Sequence, residues 1–318
     1  MAPLPTYASP YFPNPSRINN MRIGANEIIV WLADVVNNGI TTLYNQPEEF
    51  WDSISKRMVD AQLSGIGNRL KHVKNAIAEE EEEYIIDAIS EIYLLAKSLS
   101  KIDVLPESMA LSLLKAAGYN ITKKHLVNAE LISDDWLVLG QVHGEEDRIR
   151  YRRTWIQGQR TKFMGQILDY AWGKQDFMQN WQVGRSFKGD ARVYPGAYKL
   201  RLAIEAHSHT SQLISSFAAY QDLNAFLKAY TLAVAAHPVL FHFPVSLKEI
   251  RIQLKHQEIY IIDKSLNAIP CFCSENAKWG LLAAAAGQEI QLFGEWDGSK
   301  FHPLSLISTG RFIKINNF

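Results

Sequence analysis

The stretch Trp136-Leu-Val-Leu-Gly-Gln-Val142 marks the point where the hydrophobic period of the chain changes. Before it, apolar residues recur every three or four positions, which is typical of amphipathic helices. After it they recur in short runs and at alternate positions, which predicts strands. Helices and strands are therefore grouped along the chain and do not alternate regularly. The sequence predicts an α+β fold, with mainly antiparallel strands, and not a doubly wound sheet.

Residues 25–135 are predicted to form a helical subdomain. A first helix is expected to begin at Asn26, because a side chain of this type caps the free backbone N–H groups of a helix start. The best-defined helix is predicted over residues 81–100, with Ile85, Ile89 and Ile92 on one face. The five acids at 79–83 fit a solvated helix start, and a binding tail is the alternative.

Residues 1–24 are predicted to be an extended, proline-rich tail. Five prolines and no charged side chain stand in the first 15 residues, so a signal peptide is not indicated. The tail is expected to be weakly ordered. The alternative is a strap packed on the core through Tyr7, Tyr11 and Phe12, which are costly to leave in water.

Residues 136–318 are predicted to form an α+β domain of β hairpins. Further strands are expected from Ile149 and over 162–172, and a helix over 217–236 that ends before Pro238. The dipeptide Asp297-Gly298 predicts the turn of a late hairpin.

The charge of the chain is balanced overall but not along its length. The chain has 318 residues with 33 basic and 33 acidic side chains. Up to Asp135 there are 12 basic and 18 acidic residues, a net charge of −6, and from Trp136 onward there are 21 and 15, a net charge of +6. A uniformly basic nucleic-acid-binding protein is excluded, whereas a basic face is not.

Cysteine usage and hydropathy predict a cytoplasmic protein. There are two cysteines, Cys271 and Cys273, separated by one residue, so a disulfide framework is not indicated and a reducing compartment is. No apolar run reaches the length of a transmembrane helix. The two cysteines, with His207 and His209, have no established metal-ligand spacing. Small buried residues are the alternative to zinc ligands, and we predict no metal and no cofactor.

The searched catalytic motifs are absent from the sequence. There is no phosphate-binding G-x-x-x-x-G-K-[ST], no G-x-G-x-x-G, no G-x-S-x-G and no H-E-x-x-H. An enzyme remains a third hypothesis, because catalytic groups also assemble from distant parts of a chain.

A basic β ribbon is the candidate site. The residues concerned are Arg148, Arg150, Arg152, Arg153, Arg160 and Lys162. On a strand, Arg148, Arg150 and Arg152 share one face, and two neighbouring strands of cations suit phosphates, with Trp155 and Phe163 nearby to stack on bases. Two alternatives stay open: pairing with Glu145, Glu146, Asp147 and Asp169, and docking of a partner protein.

An ordered set of short motifs over residues 25–307 resembles a known family. The motifs are Trp31-Leu-Ala-Asp-Val-Val-Asn-Asn-Gly39, Phe50-Trp51, Arg57-Met-Val-Asp-Ala-Gln62, Trp136-Leu-Val-Leu-Gly140, Arg153-Thr-Trp155, Gly158, Tyr194-Pro195, Tyr198-Lys199-Leu200 and Leu292-Phe-Gly-Glu-Trp-Asp-Gly298. Together they resemble the region that follows the zinc finger in bacterial SWIM zinc-finger family proteins. Taken singly, Trp31, Trp51, Trp136 and Trp155 also fit core aromatics, and 294–298 fits a hairpin corner.

The resemblance implies a binding protein with a partner. Such proteins are often encoded beside MoxR-type AAA+ ATPases and von Willebrand factor A proteins, and their finger has the pattern C-x-C…C-x-H. No such finger precedes residue 25, so the chain is expected to be truncated or fingerless, and the metal ligands of the family are carried onto no residue here. The first hypothesis is a non-enzymatic adaptor that docks such an ATPase or operon partner. The alternative is a nucleic-acid-associated module that uses the basic ribbon.

Overall fold

The computed structural model describes residues 9–79, 82–146, 149–208 and 211–315. Contacts divide the chain into two compact units. The first extends to Val127 and includes Pro195–Ala197, and the second consists of Asn128–Tyr194 and Tyr198–Phe318. All strands found among the described residues belong to the second unit.

The first unit is a bundle of α-helices connected by short turns. The 3-10 helices Ile40–Asn45 and Ile102–Val104 lie in these connections, and another, Lys123–Leu126, follows the last α-helix. Its helices are α1 (Pro15–Asn38), α2 (Glu48–Asp60), α3 (Ser64–Ala78), α4 (Glu82–Ser100) and α5 (Glu107–Ala116). Helix α4 agrees with the helix predicted over 81–100. Of the acidic run before it, Glu80 and Glu81 lie outside the described residues.

The start of α1 corrects the prediction of an extended tail over residues 1–24. Helix α1 begins at Pro15, so residues 15–24 are helical and the expected start at Asn26 is wrong. The Asn14 side chain accepts a hydrogen bond from the Arg17 N–H, and Pro15 occupies a first-turn position that needs no backbone donor. Ile18 and Met21 are buried, which anchors this early turn in the bundle. Residues 1–8 lie outside the described part of the chain.

Close approach of helix ends holds the bundle together. The Gly65 N–H at the start of α3 donates to the Ala117 carbonyl just after α5, at 3.0 Å. A Cβ atom at Gly65 would lie 2.3 Å from the Ala116 carbonyl oxygen, so a larger residue would force the two helices apart. Arg22 of α1 forms an ion pair of 2.6 Å with Asp103, which follows α4.

The second unit contains two sheets. The first has the order β3-β2-β1-β4-β5 and the second β11-β10-β8-β7-β6-β9. The strands of the first sheet are β1 (Leu131–Glu146), β2 (Ile149–Gly158), β3 (Met164–Trp172), β4 (Ser186–Val193) and β5 (Leu202–His207). Those of the second are β6 (Phe243–Lys255), β7 (Glu258–Ile262), β8 (Ala268–Cys271), β9 (Ile290–Trp296), β10 (Phe301–Ser308) and β11 (Arg311–Lys314).

Each sheet curves back on itself. In the second sheet β10 pairs antiparallel with β9 and parallel with β8, where Phe301 is opposite Cys271, so the strands from β6 to β10 form a closed ring. In the first sheet Gln166 of β3 bridges to Arg201, next to β5. Closure of this kind removes free strand edges. The remaining strand pairs are antiparallel.

Two capped helices complete the second unit. Helix α6 (Leu223–Ala236) begins where the Asp222 side chain accepts from the Ala225 N–H, and α7 (Glu275–Ala285) begins where Ser274 accepts from the Ala277 N–H. The buried Asp263 carboxylate accepts from the Leu223 N–H at 3.1 Å and so fixes the start of α6.

The architecture confirms the predicted α+β class. A helical bundle is followed by mainly antiparallel sheets with additional helices. Trp51, Trp136 and Trp155 are buried core aromatics, as predicted, whereas Trp31 is half-buried against the Phe50 ring at 5.8 Å. Within the described ranges, every helix is too short or too polar to cross a bilayer.

Candidate functional site

Strand β2 carries the central part of the basic ribbon between β1 and β3. The register places Ile149 opposite Trp172 and Arg153 opposite Leu168 on β3, and Val142 opposite Arg153 on β1. We call residues 142–146, 149–153 and 168–172 the ribbon arm. Because side chains alternate across a strand, Arg150 and Arg152 lie on one face of the arm and Arg153 lies on the other. Arg148 lies outside the described residues.

Arg152 is buried beneath the segment that follows β3. Its side chain forms a 2.7 Å ion pair with Asp169, and its Nη2 also donates to the Gln179 carbonyl at 2.5 Å. The guanidinium lies 4.5 Å from the centre of the Phe177 ring. Only 6% of Arg152 is exposed, so the expected pairing with Asp169 is confirmed, and this cation is not open to a phosphate.

Arg150 holds the same segment from its other end. Its Nε donates to the Gly173 carbonyl at 2.8 Å, and its Nη2 donates to the Gln175 carbonyl. The Phe177 ring lies 5.6 Å from this guanidinium, so one aromatic ring contacts both arginines. Residues 173–181 therefore cover this face of the arm.

Arg153 reaches across to the second sheet. Its Nε and Nη2 donate to the two carboxylate oxygens of Glu295 at 2.7 and 2.8 Å, and the Trp155 indole donates to the same carboxylate at 2.5 Å. Glu295 is only 3% exposed. Burial alone would raise the pKa of Glu295, but the charge and hydrogen bonds of Arg153, together with His242 and the Trp155 hydrogen bond, hold that pKa below its ordinary value. Two of the motifs that carry the family resemblance, Arg153-Thr-Trp155 and Gly294–Gly298, thus meet in one buried ion pair.

Arg160 and Lys162 lie in the turn between β2 and β3. Arg160 donates through Nη2 to the Ser133 carbonyl at 2.8 Å, and the Lys162 ammonium donates to the Gln159 carbonyl. The Asp134 carboxylate holds the turn by accepting from the N–H groups of Arg160 and Thr161. Both basic side chains are exposed, so solvent reaches them freely.

Among the residues that the structure describes, the predicted cations therefore do not form one surface. Arg150 and Arg152 hold the segment 173–181, Arg153 is paired with Glu295, and Arg160 and Lys162 are at the far end of β2. Trp155 is fully buried and cannot stack on a base. Phe163 is packed against the core cluster of the first sheet.

The open face of the ribbon arm is apolar. Ile149, Tyr170 and Trp172 are 37%, 58% and 59% exposed, and Tyr151 is opposite Tyr170 on the same face. Gly144 of β1 is opposite Tyr151, and a Cβ atom there would lie 2.3 Å from the Tyr151 ring. The ring therefore lies over Gly144. We call Ile149, Tyr151, Tyr170 and Trp172 the apolar face. Ile149 and Tyr151 alternate with arginines in the sequence, so the same pattern predicts a basic face and an apolar face on opposite sides of the strand.

The zinc hypothesis finds no support in the described residues. His207 packs against the Trp181 and Phe187 rings at 5.2 and 6.0 Å in the first sheet, whereas Cys271 ends β8 in the second. His209 lies outside the described residues. Across the ranges the structure describes, no three His, Cys, Asp or Glu side chains are grouped to hold a metal ion.

A cavity of about 250 Å³ lies in the second unit. Its lining includes Gln157, Lys162, Tyr198, Tyr220 and Ser246. Burial, with the neighbouring Tyr220, raises the pKa of Tyr198 to about 12, and burial also raises the pKa of Tyr220. Both phenols stay protonated at neutral pH and do not act as general bases. The cavity lining thus includes two protonated phenols, which can donate hydrogen bonds.

Comparison with known families identifies the helical part of the chain. Residues 16–117, which span α1 to α5, match the SWIM-associated four-helix bundle domain. The match supports the resemblance inferred from the motifs and suggests a non-catalytic associated domain. No curated protein matches the chain, and no solved structure matches it.

Proposed function

We propose that this protein is a non-catalytic adaptor of the cytoplasm that docks a partner protein through the apolar face of its ribbon arm. The partner we propose is a MoxR-type AAA+ ATPase, or a von Willebrand factor A protein encoded beside it. The family resemblance supports this choice of partner, and the two free thiols suit a reducing compartment.

One observation carries the proposal: the ribbon arm exposes its apolar side chains and uses its cations internally. Arg150 and Arg152 are satisfied by an acid, carbonyls and an aromatic ring, so that face is already covered. Tyr170 and Trp172 are more than half exposed on the other face. Exposed aromatic residues grouped on a rigid sheet are typical of protein interfaces and costly to leave in water.

Co-purification with the partner tests the proposal. The chain is co-expressed with the MoxR-type ATPase encoded nearest to it and recovered with and without nucleotide. We expect the wild type to retain the ATPase and the double variant Tyr170→Ser, Trp172→Ser to lose it. The removed side chains are exposed, so the thermal midpoint should change little.

A matched control separates docking from general surface hydrophobicity. Val104→Ser with Leu266→Ser removes two apolar side chains that are 80% and 84% exposed elsewhere. This control is expected to retain the ATPase. Equal retention by both double variants would place docking on another surface, and no recovery by the wild type would remove the adaptor proposal.

A nucleic-acid-associated module is the second candidate, and the exposure of Arg160 and Lys162 favours it. Binding of labelled duplex DNA at low salt, followed by anisotropy, tests this function. The variant Arg160→Ala, Lys162→Ala should bind more weakly and reduce the slope of log K against log salt by about two. Arg150 and Arg152 are unsuitable for this test, because Arg152 is buried and its loss perturbs the fold.

A further inference from the structure

We propose that Cys273 is a reactive thiol that exchanges with low-molecular-weight disulfides, and that Cys271 resolves the product into a reversible Cys271–Cys273 disulfide. The site is at the seam of the second sheet, where β8 ends and α7 begins. It is separate from the apolar face and does not depend on the adaptor function.

The two sulfurs are already in contact. Their Sγ atoms lie 3.7 Å apart, which is close enough for one thiol to donate to the sulfur of the other. A disulfide bond is about 2.05 Å long, so closure needs an approach of less than two ångströms. Cys271 is buried at the end of β8, whereas Cys273 is partly exposed in the loop before Ser274. A reagent from solvent therefore reaches Cys273 first.

The surroundings distinguish the two thiols. The hydrogen bond with Cys271 lowers the pKa of the Cys273 thiol, burial opposes this, and the Lys278 charge lowers it further. The same hydrogen bond and burial raise the pKa of Cys271 well above its ordinary value. Lys278 is only 7% exposed and forms an ion pair with Glu275 at the start of α7. Cysteine reacts as the thiolate, and a nearby cation or the start of a helix favours the thiolate by lowering the pKa of the thiol.

The thiol–disulfide exchange takes place in two steps, in which atoms and electrons balance. The Cys273 thiolate attacks one sulfur of oxidised glutathione, a Cys273–sulfur bond forms, the glutathione S–S bond breaks, and one glutathione thiolate leaves. Cys271 then gives up its proton and attacks the Cys273 sulfur, and the second glutathione leaves as a thiolate. The two protons from the protein thiols end on the two glutathiones, so the protein loses two electrons and the reagent gains them.

The product is expected to be reversible because a bridge across one intervening residue is strained. Strained disulfides have higher reduction potentials and are the labile ones. The bridge would also act on the sheet. Cys271 is opposite Phe301, and the Phe272 N–H donates to the Phe301 carbonyl at 2.8 Å, so both cysteines flank the contact that joins β8 to β10.

Treatment of the folded protein with oxidised glutathione, followed by intact mass spectrometry, tests the proposal. The wild type should lose two hydrogens and keep no adduct. Cys271→Ser should keep one glutathione on Cys273, because the resolving thiol is missing. Cys273→Ser should react about tenfold more slowly than Cys271→Ser.

The pH dependence supplies a second measurement. The serine hydroxyl of Cys271→Ser keeps a hydrogen-bond donor beside Cys273, so the rate for this variant should rise at lower pH than that of a free cysteine. Lys278→Met should shift the rise upward, and Lys278→Arg should restore it. Equal rates for the two serine variants, or a stable wild-type adduct with Cys271 still reduced, would overturn the proposal. Thermal melts of each variant distinguish a change of thiol reactivity from unfolding of the protein. If both thiols stay unreactive in the folded wild type, the pair has a structural role only and the proposal is wrong.

Discussion

At the residue scale, the most consequential contact is the carboxylate of Glu295 between Arg153 and Trp155. A buried carboxylate is costly to leave unpaired, and here it accepts from a guanidinium on both oxygens and from an indole. The sequence showed the two motifs that carry these residues but gave no sign that they meet, because they are 142 residues apart. The cations of the ribbon could be predicted, but their partners depend on strand register and could not.

Glu295→Gln should lower the free energy of unfolding by roughly 3–5 kcal/mol, because it leaves the Arg153 charge buried without a counter-charge. Urea denaturation followed by circular dichroism measures this loss. The double variant Arg153→Met, Glu295→Met should recover part of it, since neither charge remains. Equal loss in the single and double variants would show that packing, and not charge, sets the cost.

The same ion pair predicts a dependence of stability on pH. The pKa of Glu295 is lower in the folded than in the unfolded protein, so its stabilisation is fully present above the unfolded value of about 4.3 and is lost as pH falls through the folded value. The difference in unfolding free energy between wild type and Glu295→Gln should therefore shrink as the pH is lowered below about 4.3. A difference that stays constant down to strongly acidic pH would contradict this.

At the element scale, the ribbon arm and the segment 173–181 that covers it form one cooperative unit. Residues 173–181 are irregular, and Arg150, Arg152 and the Trp181–Asp169 hydrogen bond of 3.0 Å hold them to the sheet. Arg152→Ala should release this segment and leave the Asp169 carboxylate without its cation. Limited proteolysis with mapped cleavage sites should then show faster cutting within 173–181. The control is Lys174→Ala, which changes an exposed residue in the same segment. The protease should cleave this variant at the wild-type rate.

Periodicity predicted the long elements well and the short or proline-containing ones poorly. Helix α4 and strands β2 and β3 were predicted near their observed bounds because their apolar faces are long and regular. A strand was expected at Cys271 and Cys273, and β8 ends at Cys271; its bounds were not predicted, since it has four residues and contains Pro270, a residue that disfavours strands. The start of α1 was not predicted, because the prolines before it indicate an extended tail, whereas Pro15 itself also suits the first turn of a helix.

At the scale of the whole molecule, the two units differ in how far apart in sequence their contacting residues are. In the helical unit α2 packs on α3 and α3 on α4, and α1 also packs on α4, whereas the β-rich unit joins the more distant β1 to β10 and β2 to β9. Local contacts form faster than distant ones. We expect refolding to show a fast phase from the helices and a slower phase from the sheets.

Stopped-flow refolding measures the two phases. Far-ultraviolet circular dichroism should report the fast phase, and tryptophan fluorescence of a Trp31→Phe, Trp51→Phe variant should report the sheets. Glu295→Gln should alter the slow phase and leave the fast phase unchanged, because its contacts lie within the β-rich unit. A single phase common to both probes would contradict independent formation of the units.

The long separation between Arg153 and Glu295 has a consequence for how the chain is made. At about 5–20 residues per second, a ribosome needs roughly 7–28 seconds to add the 142 residues between them. During that interval β1 and β2 have emerged, but Arg153 and Trp155 have no acceptor and the core face of the first sheet is open to water. The nascent chain is therefore most prone to aggregate, and most accessible to chaperones, after β2 is synthesised and before β9 is complete. Slow codons placed between these strands would lengthen that interval, and faster translation would shorten it.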